Sequence, residues 1–359
     1  MADRKKKRHM RRAASVLLSV GIALLAGDAV ARPQGPVPPE GQAVLQEAVA
    51  WVRGGQKLRV QYDYLMTAKL RLLFFWVGKD DVGGGYVNRG SAAAGPQMEM
   101  FQLLFGSEPA KARGINRWGA ATEVVRRGPN GSGAAEASAF FGFMKASRGA
   151  SVAEMEKELS KEGQSGAHLF EAIINRVDGN GGISKVVPFH SQQDFNLHEL
   201  EKTQQVVFDR LAGEAGRVKR VDAQMRAACA KANGFLSSVA ELVDAALEGR
   251  KPPFETCYFY HGARFTMKVV KTEAIREKKI SVSLRGQEQP FERKYNDLLR
   301  VEFRIDNHNT GKVSRFELLL GTKGDLRGAP VQIDYQPNWW FRVILNLQRL
   351  GTGETKQGE

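Results

Sequence analysis

A strict alternation of apolar and charged residues toward the C-terminal end constrains the fold of this chain more than any other feature. The alternating positions are, in order, Leu299, Arg300, Val301, Glu302, Phe303, Arg304, Ile305 and Asp306. Because successive side chains of a strand point to opposite faces of a sheet, this segment predicts a strand with one buried and one wet face. A turn sequence at 307–311 and a strand pattern at 312–321 predict that an antiparallel strand follows it.

The β-rich character extends over two separate parts of the sequence. Residues 251–350 contain several such segments and predict an antiparallel meander. The N-terminal β-rich part, residues 58–150, begins with a segment at 58–78 that is rich in aromatic and branched residues. Neither part alone has many strands, so we expect the two to form one sheet system, arranged as a barrel or a sandwich. The predicted fold class is α+β, with an antiparallel β meander from the N- and C-terminal parts and a helical middle segment.

The middle segment, residues 151–250, predicts helix. Ser151 and Glu154 have the spacing of a capping box at a helix start. After Gly216, apolar residues recur at three- and four-residue steps, at Val218, Val221, Met225, Ala228, Ala232, Phe235, Val239, Leu242 and Ala246. We therefore expect residues 151–250 to be a helical insertion between the two β-rich parts.

The N-terminal segment indicates the compartment. A basic segment at 4–8 precedes an apolar run at 13–27 and a small-residue motif at 29–31. This order is typical of a secretory signal peptide, so residues 1–31 are predicted to be removed on export to the periplasm or the extracellular space. A membrane anchor is the alternative, but the apolar run is shorter than the roughly 20 residues of a helical span.

Two further segments flank the β-rich parts. Residues 32–57 combine a proline-rich linker with a short helix, and residues 351–359 predict a flexible tail. No second long apolar stretch follows the signal, so we expect no transmembrane span after cleavage.

The chain is strongly basic, with a formal net charge of +14 at pH 7. A basic exported protein can adhere to anionic lipid head groups or acidic polysaccharides. Export and the lack of a nucleic-acid reader motif argue against a nucleic-acid partner. A well-solvated surface without a charged partner is the alternative.

One short segment, residues 176–187, has the sequence RVDGNGGISKVV and resembles the calcium-binding loop of the EF-hand family. The residues that fall on loop positions three, five, seven and nine of that family are Asp178, Asn180, Gly182 and Ser184. The resemblance implies that these four residues form a metal site.

Both ends of the loop depart from the family pattern. The first position is Arg176, a cation, and the last is Val187, where the family has a bidentate glutamate. We therefore expect at most weak calcium binding, and no other cofactor. The alternative is a β-hairpin with residues 178–182 as its turn.

Asp80 and Asp81 are adjacent carboxylates that precede three glycines. A pair of carboxylates that shares a proton can act as acid and base, and together with His261 it would make the protein an envelope hydrolase. Adjacent residues of a strand point to opposite faces, which opposes a shared site. The alternative is the tip of a hairpin.

His190, Asp194 and His198 lie four residues apart and would share one face of a helix. Such a set can hold zinc. Asn196 has the character of a helix cap, which would break the set, so a solvated loop is the favoured alternative.

Three tryptophans are candidate ligand-binding residues, namely Trp118, Trp339 and Trp340. Exposed aromatic rings often mark a ligand or partner surface. The alternative is burial in the core or under a loop.

Cys229 and Cys257 are the two cysteines of the chain. An oxidising compartment permits a disulfide between them. Two buried thiols are the alternative.

These patterns favour an exported, non-enzymatic protein that binds an apolar or amphipathic small molecule, or a cell-envelope component, on a β scaffold. The sequence has neither a Gly-x-Ser-x-Gly elbow nor a His-Glu-x-x-His motif, which lowers the expectation of an enzyme. The envelope hydrolase and a weak calcium-responsive module are the alternatives.

Overall fold

A computed structural model describes the greater part of the chain. The described residues are 39–54, 56–72, 75–92, 97–112, 116–128, 135–145, 160–161, 164–195, 206–211, 216–221, 223–282, 291–338 and 341–352. The predicted signal peptide, the capping box at Ser151, His198 and the side chains of Trp339 and Trp340 lie outside them.

The described elements are mostly strands. The strands are β1 (Gln56–Leu72), β2 (Phe75–Ala92), β3 (Met98–Ser107), β4 (Trp118–Arg127), β5 (Ala135–Lys145), β6 (His168–Asp178), β7 (Gly181–Ser191), β8 (Arg217–Val221), β9 (Phe254–Tyr260), β10 (Ala263–Val282), β11 (Phe291–Asn307), β12 (Val313–Gly321), β13 (Pro330–Asn338) and β14 (Phe341–Thr352). The helices are α1 (Pro39–Arg53), α2 (Ala223–Ala227) and α3 (Phe235–Leu247), with a helical turn at 206–211 and a 3₁₀ turn at Gly324–Leu326.

All fourteen strands form one antiparallel sheet, in the order β8-β7-β6-β5-β4-β3-β2-β1-β14-β13-β12-β11-β10-β9. β1 pairs with β14, with Tyr62 opposite Leu350. The prediction that the N- and C-terminal β parts form one sheet system is therefore confirmed. The sheet curls into a nearly closed barrel, and β8 and β9 are its two edge strands.

The gap between the edge strands β8 and β9, here called the seam, is bridged by a disulfide and by a side chain. Cys229, which follows α2, is bonded to Cys257 of β9, and their Cα atoms lie 5.8 Å apart. Asn175 Nδ2 of β6 donates a hydrogen bond to Phe259 O of β9 over 3.3 Å. The cross-link restricts the unfolded chain and contributes roughly 3–4 kcal/mol in the loop-entropy description.

The inward face of the barrel carries a large apolar cluster. Its buried side chains come from β1–β7, from β9–β14 and from α3. Phe140 of β5 meets Tyr260 of β9 edge to face with 5.4 Å between ring centroids, which joins the two sides of the seam. Burying each large side chain of this kind contributes about 1.5–3 kcal/mol, so the cluster is the principal stabilising core.

A second apolar cluster covers the outer face of β3–β7. Phe141, the neighbour of the inward-facing Phe140, belongs to it. The covering side chains come from α1 and from the helical turn at 206–211, and they are Leu45, Ala48, Trp51, Val207, Phe208 and Leu211. These strands are consequently buried on both faces.

The outer face of β10–β13 is charged, as the alternation predicts. Phe303 and its inward neighbours on β11 are buried. Arg300 and Arg304 point outward, where Arg300 pairs with Glu273 and Arg304 with Asp306. The predicted strand with one buried and one wet face is confirmed.

The predicted helical insertion over residues 151–250 is wrong for two of the segments that the structure describes. Residues 168–191 form the β6–β7 hairpin, and residues 217–221 form β8. The predicted amphipathic run after Gly216 is split into β8, α2 and α3. The reason is two-sided burial, because a strand that is buried on both faces has consecutive apolar residues and no two-residue period.

Candidate functional site

Helix α3 lies across the interior of the barrel. On one side, Phe235, Leu242 and Val243 belong to the inward-facing cluster. On the other side, Leu236 and Ala240 pack against β3–β5. The helix therefore packs against two opposite walls of the barrel.

Glu123 of β4 holds the start of α3. Its buried carboxylate accepts hydrogen bonds from the backbone N–H groups of Gly234, Leu236 and Ser237 at 3.1, 2.7 and 3.2 Å. The Ser237 hydroxyl also donates to it. Burial raises the pKa of Glu123, and the hydrogen bonds oppose that rise. A carboxylate suits this place because the helix N-terminus carries partial positive charge.

A polar row crosses the inner wall next to the seam. Asn175, Ser184 and Lys219 lie directly opposite one another on β6, β7 and β8. Opposed residues of antiparallel strands point to the same face. That face is the inward one, because Ile173 and Val186, two positions away on β6 and β7, belong to the inward-facing cluster.

The β9–β10 turn closes over this row from the other edge strand. Its two residues, His261 and Gly262, have positive φ angles of 50° and 66°, as tight two-residue hairpins require. A Cβ at Gly262 would overlap the side chain of Lys219, so only glycine permits this close approach. The turn thereby brings His261 beside Lys219.

Five residues form what we call the seam cluster, namely Asn175, Ser184, Arg217, Lys219 and His261. Arg217 pairs with Glu171 at 3.2 Å. Among the described residues, no carboxylate lies within ion-pair distance of Lys219. Burial and the nearby Arg217 lower the pKa of Lys219.

Several polar atoms of the seam cluster lack a hydrogen-bond partner among the described residues. They are Ser184 Oγ, Asn175 Oδ1, Arg217 Nε and His261 Nε2. Ser184 is 0% exposed and Asn175 is 1% exposed. An unpaired buried polar atom costs free energy, so the arrangement can accept a polar ligand group.

We expect the stability of the fold to decrease as the pH falls from 6.5 toward 4. Burial, Lys219 and Arg217 lower the pKa of His261 from 6.5 to about 4. In this window the unfolded chain binds a proton that the folded chain does not, so a falling pH favours unfolding. The loss is on the order of 2–3 kcal/mol at the acid end and is measurable by denaturant unfolding at several pH values.

The variant His261→Asn serves as the test of this assignment, because asparagine tolerates a positive φ angle. It should flatten the pH dependence between 6.5 and 4. His190→Asn, at an exposed histidine on β7, should leave the dependence unchanged. An unaltered pH profile in His261→Asn would contradict the assignment.

Asp80 and Asp81 do not form a shared carboxylate site. They lie within β2 rather than at a hairpin tip, at a bulge opposite Thr67 of β1. Thr67 Oγ1 donates to Asp80 over 2.7 Å, while Lys111 pairs with Asp81 at 2.5 Å. The sheet order separates β2 from both edge strands, so neither carboxylate joins His261 at the seam.

The three glycines after this bulge permit close strand contact. A Cβ at Gly84 would overlap Tyr64 O of β1, and a Cβ at Gly85 would overlap Leu104 O of β3. The glycines therefore allow β2 to lie close to both neighbouring strands.

The EF-hand-like segment is a β-hairpin in this structure. Residues 176–187 belong to β6, a turn at 179–180 and β7, whereas the EF-hand loop joins two helices. Asp178 Oδ1 accepts a hydrogen bond from the backbone N–H of Asn180 over 2.9 Å. Ser184 faces the barrel interior, and Gly182 supplies no side-chain ligand. The four residues implied as metal ligands do not converge.

We expect calcium to bind this segment no more tightly than the millimolar range, because the acid at the first position and the glutamate at the last are missing. Calorimetric titration with calcium measures this directly. A micromolar Kd that disappears in Asp178→Ala would overturn the expectation.

Among the described residues, no group of three or more His, Cys, Asp or Glu side chains is placed to hold a metal ion.

The predicted ligand residue Trp118 is a core residue. It is 3% exposed, and its indole N–H donates to Phe195 O over 2.9 Å. Its ring meets Phe143 edge to face. Trp339 and Trp340 remain predictions, because their side chains lie outside the described residues.

Asp194, a member of the predicted zinc set, holds a different group of side chains together. Lys145 pairs with it at 2.5 Å, His168 Nδ1 lies 3.7 Å away, and Asn116 Nδ2 donates to it over 3.0 Å. His190 is exposed on β7. Asp194 therefore fastens the segment after β7 against the outer cluster.

Sequence reasoning did not single out Glu123, Asn175 or Lys219. The sequence does mark Glu123 as unusual, because it is the one acidic residue of β4, WGAATEVVRR. No local sequence feature marks Asn175 or Lys219, since their proximity depends on strand register.

No helix in the described part of the chain is long and apolar enough to cross a membrane.

The fold and the site define a nearly closed antiparallel β-barrel with a helix across its interior and a polar seam. No protein-family model and no curated protein matches the chain. One similar solved structure is a β-barrel-like protein of the domain of unknown function DUF1849 from Brucella abortus, with a TM-score of 0.39, 10% identity, and coverage of 83% of this chain and 99% of that chain. Another is a candidate lipoprotein from Parabacteroides distasonis, with a TM-score of 0.21, 10% identity, and coverage of 82% and 96%.

Proposed function

We propose that the chain is an exported, non-enzymatic binding protein whose barrel holds an apolar or amphipathic small molecule. The observation that carries the proposal is the large apolar cluster on the inward face, which joins strands of both halves with α3. Apolar, concave surfaces with a few placed polar groups are the usual form of small-molecule sites. Here the polar groups are those of the seam cluster.

The exported location rests on two independent features. Residues 1–31 have the pattern of a signal peptide. The Cys229–Cys257 disulfide suits an oxidising compartment, because such bonds are rare in reducing ones. The periplasm and the extracellular space both meet this condition.

Binding of uncharged alcohols tests the proposal. Hexanol and dodecanol are titrated against the protein in the presence of a neutral fluorescent naphthylamine probe, and displacement of the probe is measured. Dodecanol should bind more tightly, because each buried methylene contributes about 0.8 kcal/mol. Equal affinity for the two alcohols, or no displacement, would contradict the proposal.

A matched pair of variants locates the binding surface. Ala121 and Ala120 are neighbours on β4, and both are buried, Ala121 in the inward cluster and Ala120 in the outer one. Ala121→Met should weaken dodecanol binding because methionine fills interior space, and Ala120→Met should not. Circular dichroism confirms that both variants are folded before they are compared.

A further inference from the structure

We infer that the seam cluster binds the anionic head group of an amphipathic ligand, a singly charged group such as a carboxylate at the end of an acyl chain. The inference rests on the proposed function, since the chain of the ligand would lie in the barrel interior. It adds the class of head group and the residues that recognise it.

The first support is the geometry of the polar row. Lys219 and Ser184 are directly opposed across β8 and β7 and point to the same inward face. The ammonium group of Lys219 and the hydroxyl of Ser184 are both donors, which an anion requires. The Ser184 hydroxyl is 0% exposed and lacks a partner among the described residues. Asn175 lies one strand further on, and its free oxygen is an acceptor that suits a water or a hydroxyl group.

The second support is the charge of the site. The charge of Arg217 is matched by Glu171 at 3.2 Å. Lys219 lies beside them, and no carboxylate among the described residues pairs with it. Counted over the described residues, the site therefore has one uncompensated positive charge, which suits a monoanion better than a dianion.

The third support is the continuity of the seam with the apolar interior. Phe140 lies directly opposite Asn175 in the same cross-strand row, and Ile173 and Val186 occupy the next inward positions. An acyl chain that leaves a head group at Lys219 would meet these side chains first. One ligand could thus use both the polar row and the apolar cluster.

A comparison of dodecanoate with dodecanol tests the inference, at concentrations below micelle formation. The two probes share one chain and differ in the charge of the head group. Dodecanoate should bind at least about tenfold more tightly, because a charge-assisted hydrogen bond strengthens its contact. Acetate carries the head group alone and should bind far more weakly than dodecanoate, since most of the affinity comes from the chain.

Lys219→Met and Arg220→Met provide the matched variants. Arg220 is the next residue on β8, is exposed, and points to the outer face opposite Ile183. Lys219→Met should lower the affinity for dodecanoate about tenfold and leave the affinity for dodecanol unchanged. Arg220→Met should change neither affinity. Ser184→Ala should lower the affinity for dodecanoate by a smaller factor.

The outcomes separate the two proposals. Equal affinities for dodecanoate and dodecanol, with Lys219→Met changing neither, would overturn the head-group site and leave the proposed function standing. Failure of both probes to bind would overturn the proposed function. Equal loss of dodecanoate affinity in Lys219→Met and Arg220→Met would indicate attraction by net charge alone and would also overturn the head-group site.

Discussion

Replacing Glu123 with alanine is expected to lower the free energy of unfolding by about 3–5 kcal/mol, because three backbone N–H groups and one hydroxyl lose their acceptor. Those donors lie at the start of α3, where the other acceptors among the described residues are Ser237 Oγ, which accepts from the Gly234 N–H, and Gly234 O, to which the Ser237 hydroxyl donates over 3.5 Å. Denaturant unfolding measures the change.

The isosteric variant Glu123→Gln should lose less, because its amide oxygen still accepts hydrogen bonds. Glu136→Ala, at an exposed glutamate on the neighbouring strand β5, should stay within about 0.5 kcal/mol of the parent. If Glu123→Ala and Glu136→Ala have equal effects, Glu123 does not hold α3 in place, and the account of the interior helix is wrong.

Phe303→Ala is also expected to cost about 3–5 kcal/mol, by lost transfer free energy and an unfilled cavity. The Phe303 side chain is 1% exposed and stacks on Phe316 with 4.5 Å between ring centroids. Both rings belong to the inward-facing cluster. Denaturant unfolding again provides the measurement.

Arg304→Ala is the matched control, since Arg304 is the next residue on β11 and faces outward. Its side chain is 41% exposed, and within the described part of the chain it forms an ion pair with Asp306 alone. The expected change is within about 0.5 kcal/mol. A loss as large as that of Phe303→Ala would mean that β11 is buried on both faces, contrary to the one-sided wall described for this half of the barrel.

The contrast between β11 and β6 explains how much of the fold the sequence could predict. β11 has one solvent-exposed face. The alternation of apolar and charged residues around Phe303 therefore indicates directly both the strand and the face that is buried. The outer face of β6 is covered by α1, so the neighbouring residues Ile173 and Ile174 are both buried. The two-residue alternation of apolar and polar side chains is therefore absent from this strand. A helix was predicted there because an apolar run without alternation does not distinguish the two structures.

The seam illustrates what local sequence patterns could not provide. Lys219 and His261 are distant in the chain, and they meet because β8 and β9 become the two edges of a curled sheet. Gly262 permits the approach, but its neighbourhood is typical of any tight hairpin. Cys229 and Cys257 were predicted as a pair or as separate thiols, and only the closure of the barrel brings their Cα atoms within bonding range.

Cross-linking with a dodecanol that carries a photoreactive diazirine on its chain tests the binding-barrel account most directly. After illumination, labelled peptides are identified by mass spectrometry. The account predicts labels on inward-facing residues such as Met66 of β1 and Met267 of β10, suppressed by excess dodecanoate. Labels confined to the outer cluster, for example at Met100 of β3, would contradict it, because the ligand would then lie outside the barrel.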